Sequence, residues 1–125
     1  MKDWTQATLE FAGIPDRVIR GTLFGVASRI IKRSPVDTGR FRNNWQASVN
    51  SPAVGFTPAT DKTGNAAVQE ASALINNFQM GSTFYLTNNL PYANRLEYGW
   101  SDQAPSGMVR ITVAEIEQRI KEAAK

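Results

Sequence analysis

Ile19, Leu23, Val26 and Ile30 recur at intervals of three and four residues, and Ala27 and Ile31 widen the same stripe. That spacing sets them on one face of a helix over residues 15–32. A helix with one apolar face needs a second layer to cover it, so the rest of the chain must supply that layer. Pro15 suits the first turn, where its missing N–H would have no partner anyway, and Asp16 adds a favourable charge there. Arg29, Lys32 and Arg33 suit the C-terminal end. Ser34-Pro35 stops the helix, because the residue before a proline disfavours helical geometry. Gly21 and Gly25, four residues apart, read as a crowded packing site against a neighbouring element. Charged flanks exclude the membrane-helix use of that spacing.

The covering layer is legible downstream. Upstream, Trp4, Ala7, Thr8 and Phe11 space as a short helix over residues 3–12, stopped by Gly13. Pro35 to Gly39 reads as a turn in which Asp37 and Thr38 bond local backbone and Gly39 takes positive φ. Residues 40–50 alternate, with Phe41, Asn43, Trp45, Ala47 and Val49 on one face, as in a half-buried strand. Residues 51–65 are rich in Pro, Gly, Thr and Ser and lack a period: a long loop or arm with a hairpin-like excursion. Asn65 is placed to cap a helix over residues 66–78. Residues 83–88 are a second strand and Asn88-Asn89 a turn. Pro91 opens a short helix over residues 92–98 with Tyr92 and Leu96 inward, and Gly99 ends it. The last helix, residues 109–124, carries Val109, Val113, Ile116 and Ile120, with Glu115 and Arg119 pairing across one turn. The expected fold is α+β: a short antiparallel sheet packed against N- and C-terminal helices, one domain over residues 1–125, with a long extended loop.

The chain has neither cysteine nor histidine. Disulfides, thiol nucleophiles and thiolate metal sites are excluded, and so are the commonest general base and transition-metal ligand. The usual serine hydrolases and zinc or iron enzymes go with them. No apolar run reaches membrane-spanning length and the N-terminus is polar, so a soluble protein is expected. Net charge is +3, yet residues 16–42 alone hold seven cations against two carboxylates. Such a patch would suit nucleic acid or an acidic partner surface. Phe41 and Trp45 interleave with it, which a single-strand-binding surface would use; the plainer reading is a solvated helix face beside inward aromatics.

Two constellations invite a catalytic reading. Asp37-Thr38-Gly39 matches the loop of dimeric aspartic proteases, where two carboxylates share a proton. Its flanks, Lys32-Arg33-Ser34-Pro35 and Arg40-Phe41-Arg42, are not those of such a loop, and the turn reading is preferred. Tyr92, Glu97, Tyr98, Trp100 and Asp102 gather aromatics and carboxylates. The preferred reading is core packing for Tyr92, Leu96 and Tyr98, with Glu97 paired to Arg95 or to the basic segment.

Three blocks then occur in order: Ser34-Pro35-Val36-Asp37-Thr38-Gly39-Arg40-Phe41-Arg42-Asn43-Asn44-Trp45, Tyr85 to Gly99 with Asn88, Pro91, Tyr92, Glu97 and Gly99, and Ala104-Pro105-Ser106-Gly107-Met108-Val109-Arg110. Together they resemble the neck and tail-completion proteins of long-tailed bacteriophages, the minor tail components of lambda-like siphophages. The likeness runs from about Ile30 onward and leaves the first thirty residues and residues 51–65 unmatched. It implies a small α+β subunit, without catalytic residues or cofactor, that forms a ring at the head-proximal end of the tail. Such a ring completes or terminates the tail tube and mediates head–tail joining, or serves as a connector on the stopper or adaptor side. Its implied partners are copies of itself, a hexamer by analogy with the six-fold tail tube, the tail tube protein and a head–tail connector protein. DNA would only pass through the lumen, with Arg29, Lys32, Arg33, Arg40 and Arg42 as candidates to face it or a partner. The implied location is the virion, assembled in the host cytoplasm, with no membrane contact.

Overall fold

The computed structural model describes residues 15–79, 81–99, 101–104 and 107–123. The helix expected over residues 3–12 lies outside them, as do Trp100 and Pro105. Five helices and a two-stranded antiparallel sheet make up the described part, an α+β fold. They are α1 (Asp16–Arg33), α2 (Arg40–Asn43), β1 (Gln46–Val49), α3 (Asn65–Asn76), β2 (Phe84–Thr87), α4 (Ala93–Glu97) and α5 (Val109–Ala123).

The apolar stripe of α1 is buried at Ile19, Ala27, Ile30 and Ile31. Its cover comes from α3 on one side and α5 on the other. On α3 the buried positions include Ala67 and Ala71, small side chains that let the two helices approach closely. Arg20 reaches across and donates to the Ile75 carbonyl at 2.7 Å, satisfying the C-terminal end of α3 with a cation. Ile30, Ile31, Phe41, Trp45, Ala67, Leu90, Ala104 and Met108 form one contiguous core. No helix among the described residues is long and apolar enough to cross a membrane.

The strand expected over residues 40–50 begins instead with a single helical turn. Gly39 at φ 91° launches α2, and only Gln46–Val49 is extended. Phe41 and Trp45 stand four apart, a spacing that alternation and a helical turn both satisfy, and both are buried with their rings edge-to-face at 5.9 Å. β1 pairs antiparallel with β2, Gln46 opposite Thr87 and Val49 opposite Phe84. α3 packs on β1.

Residues 51–64 have no regular structure, but they do not project freely. They double back antiparallel to residues 39–48, held mainly by side chains instead of a ladder. Ser48 Oγ donates to the Ser51 carbonyl, Gln46 Nε2 to that of Gly55, and Asn44 exchanges two bonds with Thr57, at 2.7 to 2.9 Å. Asn89 Nδ2 donates to the carbonyls of Ala53 and Gly55.

Three local expectations are corrected. Asn65 does not cap α3: Gly64, at φ 76°, holds that position, and the Asp61 carboxylate accepts the Ala66 N–H at 3.0 Å. Asn65 lies within the first turn and accepts from Lys32. Gly21 and Gly25 are not a packing site; a Cβ at Gly21 would meet nothing within 4 Å, and one at Gly25 would meet only the Arg29 side chain. Glu115 pairs with Arg33 at 2.8 Å, a partner on another helix that its neighbours on α5 cannot reveal.

Candidate functional site

The first sequence block is a knot of backbone anchors at the end of α1. Ser34 is 1 % exposed; its Oγ donates to the Ile30 carbonyl at 2.8 Å and accepts the Trp45 Nε1–H at 2.7 Å. Val36 is clasped by Gln103, whose amide accepts its N–H and donates to its carbonyl. Thr38 Oγ1 accepts the Arg40 N–H, as its turn role requires. At Gly39, a Cβ would stand 2.5 Å from the Lys62 nitrogen, so neither the φ nor the space admits another residue. Its carbonyl accepts from both Asn43 and Asp61, joining the turn to the returning segment. Asp37, expected to bond local backbone, is exposed instead, and its carboxylate has no hydrogen-bond partner among the described residues.

Arg42 donates to the carbonyls of Lys32 and Ser34 at 2.9 and 2.8 Å and to that of Lys62 at 2.8 Å. It thereby closes the α1 C-terminus onto residues 61–64. Burial pulls its pKa below the ordinary guanidinium value, against the pull of the Asp61 carboxylate. It stays charged at any pH the fold meets. Lys32 donates to the Thr63 carbonyl and to Asn65 Oδ1. Arg33 Nη2 donates to both carboxylate oxygens of Glu115, and its Nη1 donates to Thr112 Oγ1 at 2.8 Å. Arg40 lies over the Phe56 ring at 5.5 Å, and Arg29 folds back over Gly25. Three of the five candidate basic residues are therefore already committed to bonds within the chain. Lys32, Arg33 and Arg42 nevertheless share the wall of one open cleft of about 370 Å³ with Ser34, Gln103, Ala104, Gly107 and Ile111.

The second and third blocks are joined by Glu97. This carboxylate is 4 % exposed and lies against the N-terminus of α5. Oε1 accepts the N–H groups of Met108 and Val109 at 3.0 and 2.8 Å, and Oε2 accepts the N–H and Nε–H of Arg110 at 2.9 and 3.1 Å. Arg110 also donates to the Glu97 carbonyl and stacks on the Tyr98 ring at 4.9 Å. The partner is thus Arg110, which the sequence reading did not choose, and three of the helix's orphan donors are satisfied from a different helix. Gly107 makes the approach possible: at φ 80°, its Cβ would fall 2.4 Å from the Glu97 carbonyl oxygen. Gly99 ends α4 with φ 89°.

Asn88 ties the second block to the first, donating to the Phe41 carbonyl at 2.9 Å and accepting the Leu90 N–H. Pro91 is exposed, and Tyr92 packs against Phe41 with ring centroids 6.0 Å apart. Sequence reasoning overlooked Asn44, Asp61, Asn89 and Gln103. The doubled amides Asn43-Asn44 and Asn88-Asn89, flanking a long irregular segment, were the available signal. Among the described residues no cluster of acidic groups is arranged to hold a metal ion. No family model, curated protein or solved structure matches the chain.

Proposed function

We propose that this chain is a structural subunit of a phage virion, forming a ring at the head-proximal end of the tail that completes or terminates the tail tube and joins it to the head. The observation that carries the reading is that residues of the three resembling blocks meet in one scaffold. Glu97 of the second block caps the helix opened by the third, and Asn88 of the second holds the Phe41 carbonyl of the first. These residues fix backbone and aim elements, a framework that suits a subunit with an assembling role. On this reading Asp37 marks a turn and has no catalytic part. Copies of the chain, the tail tube protein and a connector protein are the partners, with the hexamer as the expected ring. DNA passing through the lumen is contacted by charge alone.

Immunogold labelling of purified particles with antibody to the chain tests the location. Label at the head–tail junction is expected. Particles free of label and of the chain's peptides by mass spectrometry would reject the assignment.

A further inference from the structure

The main chain of β2 is half satisfied. Asn50 donates to the Thr83 carbonyl at 2.8 Å, which with the register makes Asn50–Thr83, Ser48–Tyr85 and Gln46–Thr87 the hydrogen-bonded pairs. The N–H and C=O of Phe84 and Leu86 consequently face away from β1, and no backbone group of the described residues pairs with them. The side chains of β2 are engaged inward, Leu86 against the core and Phe84 edge-to-face on Phe78, and it is the main-chain edge that stands open. Open edges are normally blunted by charge, proline or a bulge. Between Gly81 and Leu90 there is no charged residue and no proline.

A complementary element lies apart from that edge. Gln46 and Ser48 share one face of β1 and, with Asn89 just beyond β2, hold residues 51–57 by side-chain bonds to their carbonyls. The amides take the carbonyls of Ala53, Gly55 and Thr57 inward, leaving Val54 88 % and Phe56 54 % exposed. The stretch from Ser51 to Thr60 is uncharged. Residues 53–57 would span roughly 16 Å fully extended and somewhat less with Gly55 at positive φ, still comparable with a four-residue strand. Gly55, at φ 77°, is a conformation that bulged strand pairing admits.

We propose that the outer edge of β2 docks a second copy of this chain, whose residues 53–57 lie along it with Val54 and Phe56 in the contact. Neither β2 nor residues 53–57 carries a charge of its own, although Arg40 lies over the Phe56 ring, and each copy carries both halves. Donor and acceptor are different surfaces, so the contact is heterologous and repeats from copy to copy. The inference rests on the reading of the chain as a self-assembling subunit and names the contact that reading needs.

The absence of cysteine makes the test clean. Val54→Cys protein and differently tagged Thr87→Cys protein are mixed, oxidised and run without reductant, beside sedimentation velocity of the unmodified chain. Expected are a cross-linked species containing both tags, its absence from either variant alone, and concentration-dependent association that Val54→Asp removes. A chain that stays monomeric at several hundred micromolar overturns the inference. So does association without the mixed cross-link, or with Val54→Cys joined to itself. Failure of the phage assignment would be read in particles instead, and leaves these gels unchanged.

Discussion

Replacing Glu97 by glutamine changes one oxygen to NH2 and nothing else in shape. Oε1 serves two backbone donors and Oε2 serves the Arg110 N–H and Nε–H. Whichever way the new amide turns, its NH2 confronts two donors that then lack an acceptor. Leaving a buried donor unsatisfied costs about 1–3 kcal/mol. Loss of the negative charge at the α5 N-terminus removes about 0.3–1 kcal/mol more. The Arg110 side chain is 30 % exposed, so water recovers part of its share. A net loss of about 3 kcal/mol follows, or about 12 °C in Tm for a chain of this size. Urea unfolding at neutral pH measures it, with an unchanged m-value showing that the native state alone is affected. Arg110→Met should cost less, about 1 kcal/mol, because the three backbone donors keep the carboxylate satisfied. The double variant should fall short of the sum by about 1 kcal/mol. A Glu97→Gln protein within about 0.5 kcal/mol of the original would refute the claim that this carboxylate welds α4 to α5.

Gly107→Ala should abolish folding or lower Tm by well over 10 °C, roughly, since a Cβ there strikes the Glu97 carbonyl at positive φ. Gly21→Ala, in open space on a helix, should stabilise by about 0.5–1 kcal/mol in the same melts. Asn44, fully buried, holds the Arg40 carbonyl and both the backbone N–H and C=O of Thr57. Asn44→Leu should cost about 2–3 kcal/mol and speed proteolysis within residues 51–60. Bonds from Thr63 and Ala66 lower the Asp61 carboxyl to about 2, from 3.8. A depressed folded pKa means stability present above pH 4 and lost as pH falls toward 2, so acid titration of Asp61→Ala should lack the component the original chain loses in that window.

The long helices were legible because their stripes have only one reading: Ile19 to Ile31 fits no strand, and β2 fits no helix. Residues 40–50 were misread because Phe41 and Trp45 suit either template, and the deciding fact, Gly39 pressed against Lys62, is a contact across twenty-three positions. Positive φ at Gly39 and Gly99 was inferable from local turn chemistry. The partners of Glu97 and Glu115 were not, since each lies on another helix and side-chain reach has no sequence period. For the same reason the basic segment looked like a free patch until Lys32, Arg33 and Arg42 were found bonded to carbonyls and to Glu115. The returning segment was foreseen as a long excursion, while the amides that bind it were not.

The central claim is that the chain works in a phage particle at the junction of head and tail. Electron microscopy of a lysate from a phage lacking the gene tests it most directly. Filled heads beside unattached tails are predicted, overlong tails indicating a terminator and tails of normal length a completion or connector subunit. Intact, infectious particles would contradict it.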